Sequence, residues 1–187
     1  GYNVLASNTT GAQNTAVGGY ALDANTTAHN NTAIGYNSLT ANTTGTENLA
    51  AGSDSLSSNT TGSYNTGLGQ GALRANTTAS YNTAVGDEAL AANTTGQYGV
   101  AIGHNALKSN TTTNANVAIG YNALEDNTTN IHVAVGFEAL KENTTGANQV
   151  AVGGYALKVN TTGTQNTGVG YYALGANTTG DGNTALG

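Results

Sequence analysis

Cysteine, proline, methionine and tryptophan are all missing from this 187-residue chain, phenylalanine occurs once, and only 7% of the residues are charged. Without cysteine there are no disulfides and no thiolate chemistry; long repetitive folds need no such staples, so the compartment is left open. Lysine and arginine together number four against ten acids, for a formal net charge of −6. So few cations cannot neutralise a phosphate backbone, which excludes nucleic acid as a partner. No run of 18 apolar residues occurs, so no helical membrane span is expected. Disordered chains combine high net charge with few β-branched residues. Here threonine and valine return at fixed places instead, as stacked strands require.

What the chain does hold is a repeat. Gly18, Gly35, Gly52, Gly69, Gly86, Gly103, Gly120, Gly136, Gly153, Gly170 and Gly187 recur every 17 residues, with a single interval of 16 between Gly120 and Gly136. A fixed period of this length marks a solenoid, in which each coil packs only on its neighbours. The expected architecture is therefore all-β: one parallel β-solenoid, or β-roll, of eleven 17-residue coils over residues 1–187. Gly1 stands in the same phase as Gly187, and neither end carries an atypical cap, which reads as a window of a longer fibre.

Counting each coil from its glycine, the fourth position is nearly always Ala, the eleventh mostly Gly and the fourteenth mostly Asn. The fifth is Leu throughout: Leu5, Leu22, Leu39, Leu56, Leu73, Leu90, Leu107, Leu124, Leu140, Leu157 and Leu174. These should stack into an apolar spine, each buried leucine contributing about 1.5–3 kcal/mol. Asn-Thr-Ala-Val before each glycine reads as a short strand, with the fifteenth and seventeenth residues on one face and the small sixteenth on a crowded opposite face. Ala-Leu is expected to start a second strand and Asn-Thr-Thr a third or its extension, giving two or three strands per coil. With one Leu and one Val or Ile per coil the core is thin, so apolar faces are expected to be shared between chains. At ~4.8 Å per coil the rod should be roughly 50 Å long. The one-residue deletion is expected in the turn from Asn130 to His132, because loss within a strand would flip its faces.

NTAVGGYALDANTT, at Asn14 to Thr27, and NTAVGDEALAANTTG, at Asn82 to Gly96, resemble the repeats of phage and bacterial tail-fibre-type proteins. The AVG or AIG element also resembles the head repeats of trimeric autotransporter adhesins, whose repeat is shorter. The resemblance covers the whole chain. It implies a homotrimeric parallel β-roll forming an extracellular shaft or adhesive head, at the surface of a cell or virion.

Candidate chemistry is sparse. Asn8, Asn25, Asn42, Asn59, Asn76, Asn93, Asn110, Asn127, Asn143, Asn160 and Asn177 each open an Asn-Thr-Thr triplet, which fits both an N-glycosylation acceptor and an internal amide ladder. If the eighth and tenth residues faced water, they would form a flat Asn/Thr grid resembling an ice-binding surface. His29, His104 and His132 occupy different coil positions, so no metal site and no cofactor is expected and all three read as solvated turn residues. All four cations stand at the sixth position, where Glu125 offers them a charge ladder, and the ten tyrosines lie at the second, third or thirteenth, beside turns. No nucleophile-base-acid set appears. The expected function is a non-enzymatic structural fibre whose partner is itself. The alternatives are an adhesin touching cell-surface glycans or receptors laterally, and an ice-binding solenoid.

Overall fold

The computed structural model describes residues 1–187. It is a parallel β-solenoid with one three-residue strand per coil, from β1 (Thr15–Val17) to β11 (Thr184–Leu186), joined in one sheet in strict sequence order. Equivalent residues face each other in every pair, as Thr83, Ala84 and Val85 face Val100, Ala101 and Ile102. There is no helix, and hence none long and apolar enough to cross a membrane.

The expected second and third strands are absent. Ala-Leu lies in a tight turn, and every fifth-position leucine is left-handed, with φ between 50° and 54°. Leucine is disfavoured there by roughly 1–2 kcal/mol, because Cβ crowds the following carbonyl. Full burial of the side chain offsets that cost. The backbone is bonded along the rod: Leu107 N donates to Ala123 O at 3.0 Å, and Asn110 N closes the turn on Leu107 O at 3.1 Å. The third and thirteenth residues are left-handed too, which accounts for the Asn, Asp and Gly found among them.

The core consists of the fourth, fifth and sixteenth positions. Leu22 to Leu157 are fully buried against alanines such as Ala33, Ala84 and Ala118, while Leu5 and Leu174, in the end coils, are partly buried. Valine and isoleucine at the seventeenth position do not belong to it. Ile34 is 45% exposed and Ile102 39%, on the outer side of the sheet. The leucine fills the space inside each coil, so the inward strand residue has room only for a methyl group or a hydrogen.

The first-position glycine answers a close approach of neighbouring backbones. At Gly86 (φ 133°) an added Cβ would lie 2.6 Å from the carbonyl carbon and oxygen of Gly103. The short coil also departs from expectation. Asn130, Ile131 and His132 all keep their places: Asn130 Oδ1 accepts from Asn114 N, Ile131 has the thirteenth-position φ of 62°, and His132 N donates to Asn116 Oδ1. The missing residue is the eleventh, just before Asn130, and Thr129 O takes the bond that this residue's carbonyl accepts in other coils. Because the cut precedes these residues, Val133 still pairs with Val117 and no face is inverted.

Candidate functional surfaces and internal amide ladders

Two files of side-chain amides run inside the rod. In the Asn-Thr-Thr file, Asn59 Nδ2 donates to Asn42 Oδ1 at 2.9 Å and to Gly62 O at 2.9 Å. Asn76 repeats the pattern onto Asn59 and Ala79. Both amide hydrogens are thus spent, and each Oδ1 receives the next coil's donor. The file is unbroken from Asn8 through Asn25, Asn42, Asn59, Asn76 and Asn93 to Asn110. It resumes from Asn127 through Asn143 and Asn160 to Asn177. Asn25 to Asn160 are buried, whereas Asn8 and Asn177 in the end coils are half-buried. The eighth-position side chains therefore point inward. Only the tenth-position threonines face water along most of the rod, so the two-file Asn/Thr grid does not form.

The second file, at the fourteenth position, has no counterpart among the expectations. Asn48 N donates to Asn31 Oδ1 at 3.0 Å while Asn48 Nδ2 donates to Gly62 O at 2.8 Å. The recurrence of Asn at this position, broken only by Gly99, His132 and Gln149, is its signal in the sequence. Ninth-position threonines add a third link, as Thr60 Oγ1 donates to Thr77 O at 3.1 Å. Replacing Asn76 by Ala strands Asn59 Oδ1 and one amide hydrogen of Asn93, while Ala79 O keeps its bond from Asn65 Nδ2, an expected loss of about 2–4 kcal/mol. Exposed Thr78→Ala should stay within about 0.5 kcal/mol. Urea unfolding of the two variants measures the contrast.

The files falter together. Gly99 brings no side chain to the fourteenth position, Thr113 replaces the eleventh-position glycine and donates to Asn110 Oδ1, and no bond joins Asn127 to Asn110. His132 enters the fourteenth-position file and is buried, which corrects its reading as a solvated turn residue. Gln149 N donates to its Nδ1 at 3.3 Å, so the proton belongs on Nε2, 2.7 Å from Thr129 Oγ1, which donates onward to Gly146 O. Burial lowers its pKa from 6.5 to about 4, and the two groups hydrogen-bonded to the ring, the Thr129 hydroxyl and the Gln149 backbone N–H, are neutral. The folded pKa lies below the unfolded one, so stability is complete above about pH 6.5 and declines as pH falls toward about 4, with a full loss of about 3 kcal/mol. Melting temperatures of the parent and His132→Asn across that window should diverge, with the variant flatter.

The outer surface carries the charges and rings. Lys108 Nζ lies 2.6 Å from Glu88 Oε2 and Lys158 Nζ 2.8 Å from Glu138 Oε2. The charge ladder zigzags between third-position glutamates and sixth-position cations, with Lys141 also reaching Glu125 at 3.6 Å. Its hydrogen bond to Lys108 holds the Glu88 carboxyl below its ordinary range. Such exposed pairs add less than about 1 kcal/mol each. Tyr64, Tyr81 and Tyr98 stack in parallel at the thirteenth position, 5.1 and 5.4 Å apart. His104, Tyr121 and Phe137 stack likewise at the second. Where that position is Gly19 or Gly154, the following Tyr20 or Tyr155 supplies the ring, edge-on to its neighbours. No three His, Asp or Glu side chains converge as metal ligands. Comparison with family models, curated proteins and solved structures gives no significant match.

Proposed function

We propose that this chain is the shaft of a non-enzymatic extracellular fibre, assembled from three copies through the outer face of the sheet. The observation that carries this reading is the make-up of that face. Its fifteenth and seventeenth positions hold only Thr, Val, Ile, Leu and one Ala, without a single charge among them, while the ion pairs lie elsewhere. Eleven strands of three residues give a strip of roughly 50 by 10 Å, at the upper end of the apolar patches that monomers leave to water. A core with one large side chain per coil gains from covering that strip. Stacked ladders then make a stiff spacer, and the tail-fibre-like repeat supports a place at a cell or virion surface.

Native mass spectrometry should show three chains, and Val85→Lys with Ile102→Lys should shift the species toward monomer. A stable monomeric parent would overturn the trimer. The exposed tyrosine files favour a second reading, lateral adhesion to glycans or receptors. Adhesion left intact by Tyr-to-Ala changes would count against it.

A further inference from the structure

The chain has no cysteine with which to staple one coil to the next. It does hold three phenols set out as such a staple requires. Tyr64, Tyr81 and Tyr98 take the thirteenth position of three successive coils. Their backbones share one left-handed conformation, with φ of 59°, 63° and 59°. Tyr64 N donates to Thr46 O at 3.0 Å and Tyr81 N to Ser63 O at 3.1 Å, so each is tied to the coil before it. The rings of Tyr64 and Tyr81 lie 5.1 Å apart and within 3° of parallel, those of Tyr81 and Tyr98 5.4 Å and 8°. All three are exposed, Tyr81 by 51%. The file lies outside the fifteenth and seventeenth positions, through which copies of the proposed shaft meet.

The other tyrosines are arranged differently. Tyr2, Tyr20 and Tyr36 meet edge-on, at 75° and 88°, as do Tyr155 and Tyr171 at 89°. Tyr121 stacks in parallel, but on His104 and Phe137, which are not phenols. We propose that the Tyr64–Tyr81–Tyr98 file is a site of oxidative coupling, at which a peroxide-driven one-electron oxidant joins neighbouring rings through a carbon–carbon bond. Each of two phenols gives up one electron and one proton. The two radicals pair at their Cε atoms, ortho to the oxygens, and each Cε hydrogen then passes to its own oxygen as the ring becomes aromatic again. The two electrons and two protons removed reduce one peroxide to two waters. Stacking in register makes this an encounter within one chain, between rings already in contact. The product closes a 17-residue loop, which restricts the unfolded chain as a disulfide does.

A haem peroxidase with hydrogen peroxide is the probe, applied to the dilute parent protein and read by dityrosine fluorescence, denaturing gel and tryptic mapping of the unfolded product. Trypsin cuts after Arg74, between Tyr64 and Tyr81. A Tyr64–Tyr81 link therefore joins peptide 1–74 to peptide 75–108, and a Tyr81–Tyr98 link is a loss of two hydrogens within 75–108. Both are expected in material that still runs as a single chain. Tyr81→Phe keeps a ring in the stack without a phenol to oxidise, and should lower the yield from this file at least about five-fold. Tyr36→Phe should leave that yield unchanged, and circular dichroism checks the fold of both variants. The urea-unfolded parent, coupling its tyrosines without this preference, shows that the oxidant works. The proposal is overturned by an equal yield from Tyr81→Phe, by links of Tyr2, Tyr20 or Tyr36 as abundant as those of Tyr81, by products that join separate chains only, or by a folded parent that stays unlinked while the unfolded chain couples.

Discussion

Leu107→Asp should abolish the cooperative melting of the rod's centre. Leu107 is fully buried, in one apolar cluster with the equivalent leucines of adjacent coils and the surrounding alanines. The substitution loses about 2–3 kcal/mol of apolar burial and leaves a carboxylate that is either charged without a partner or protonated at a cost of several kcal/mol. The damage is not confined to one coil, because each leucine is packed from both sides along the axis. Leu107→Ala, which only opens a cavity, should cost about 2–5 kcal/mol and leave a recognisable transition. Thermal melts followed by circular dichroism distinguish the three proteins. If Leu107→Asp melted like the parent, the leucine file would not be the core.

Gly86→Ala should be nearly as damaging although it adds a single methyl group. The added carbon would meet the Gly103 carbonyl at 2.6 Å, and that obstacle is backbone, which cannot rotate aside. The φ of 133° is also one that L-residues rarely adopt. A loss on the order of 3–5 kcal/mol is expected. Gly71 makes the matching control. It sits at the third position with φ 63°, where an added Cβ would be 3.7 Å from its nearest neighbours, the side chains of Arg74 and Glu88. Asn37, Asn105 and Asn122 already hold this conformation elsewhere in the chain. Gly71→Asn should therefore be neutral, or stabilising by less than about 1 kcal/mol through a less flexible unfolded chain. Denaturant midpoints that move equally for both variants would refute this distinction between the two glycine positions.

Much of the coil was legible because its side chains answer to one period. The strand Thr-Ala-Val, its alternation, the leucine file and the restriction at the sixteenth position all follow from residues that repeat without exception or nearly so. A two-residue alternation separates the two faces of a strand but does not say which is inside. Ile34 and Ile102 look like core residues until the leucine is seen to fill the space opposite the alanine. The turn at Ala-Leu was hidden for a different reason: leucine disfavours the left-handed conformation, so no local preference announces it. His132 escapes a reading by residue type, because its burial follows from the asparagine's place that it occupies in the coil and not from its being a histidine.

Strict stacking in register has a kinetic consequence. Nearly every bond between coils joins residues 12 to 18 apart, whether at Leu5 or at Leu157. Adding coils lengthens the rod without lengthening any loop that must close, so relative contact order falls as the chain grows. Once one pair of coils has formed, each further coil settles on a finished template and folding proceeds as a zipper. The short coil between Asn127 and Gly136, where the Asn-Thr-Thr amide file skips a bond, is then the place where a zipper advancing from either end should pause.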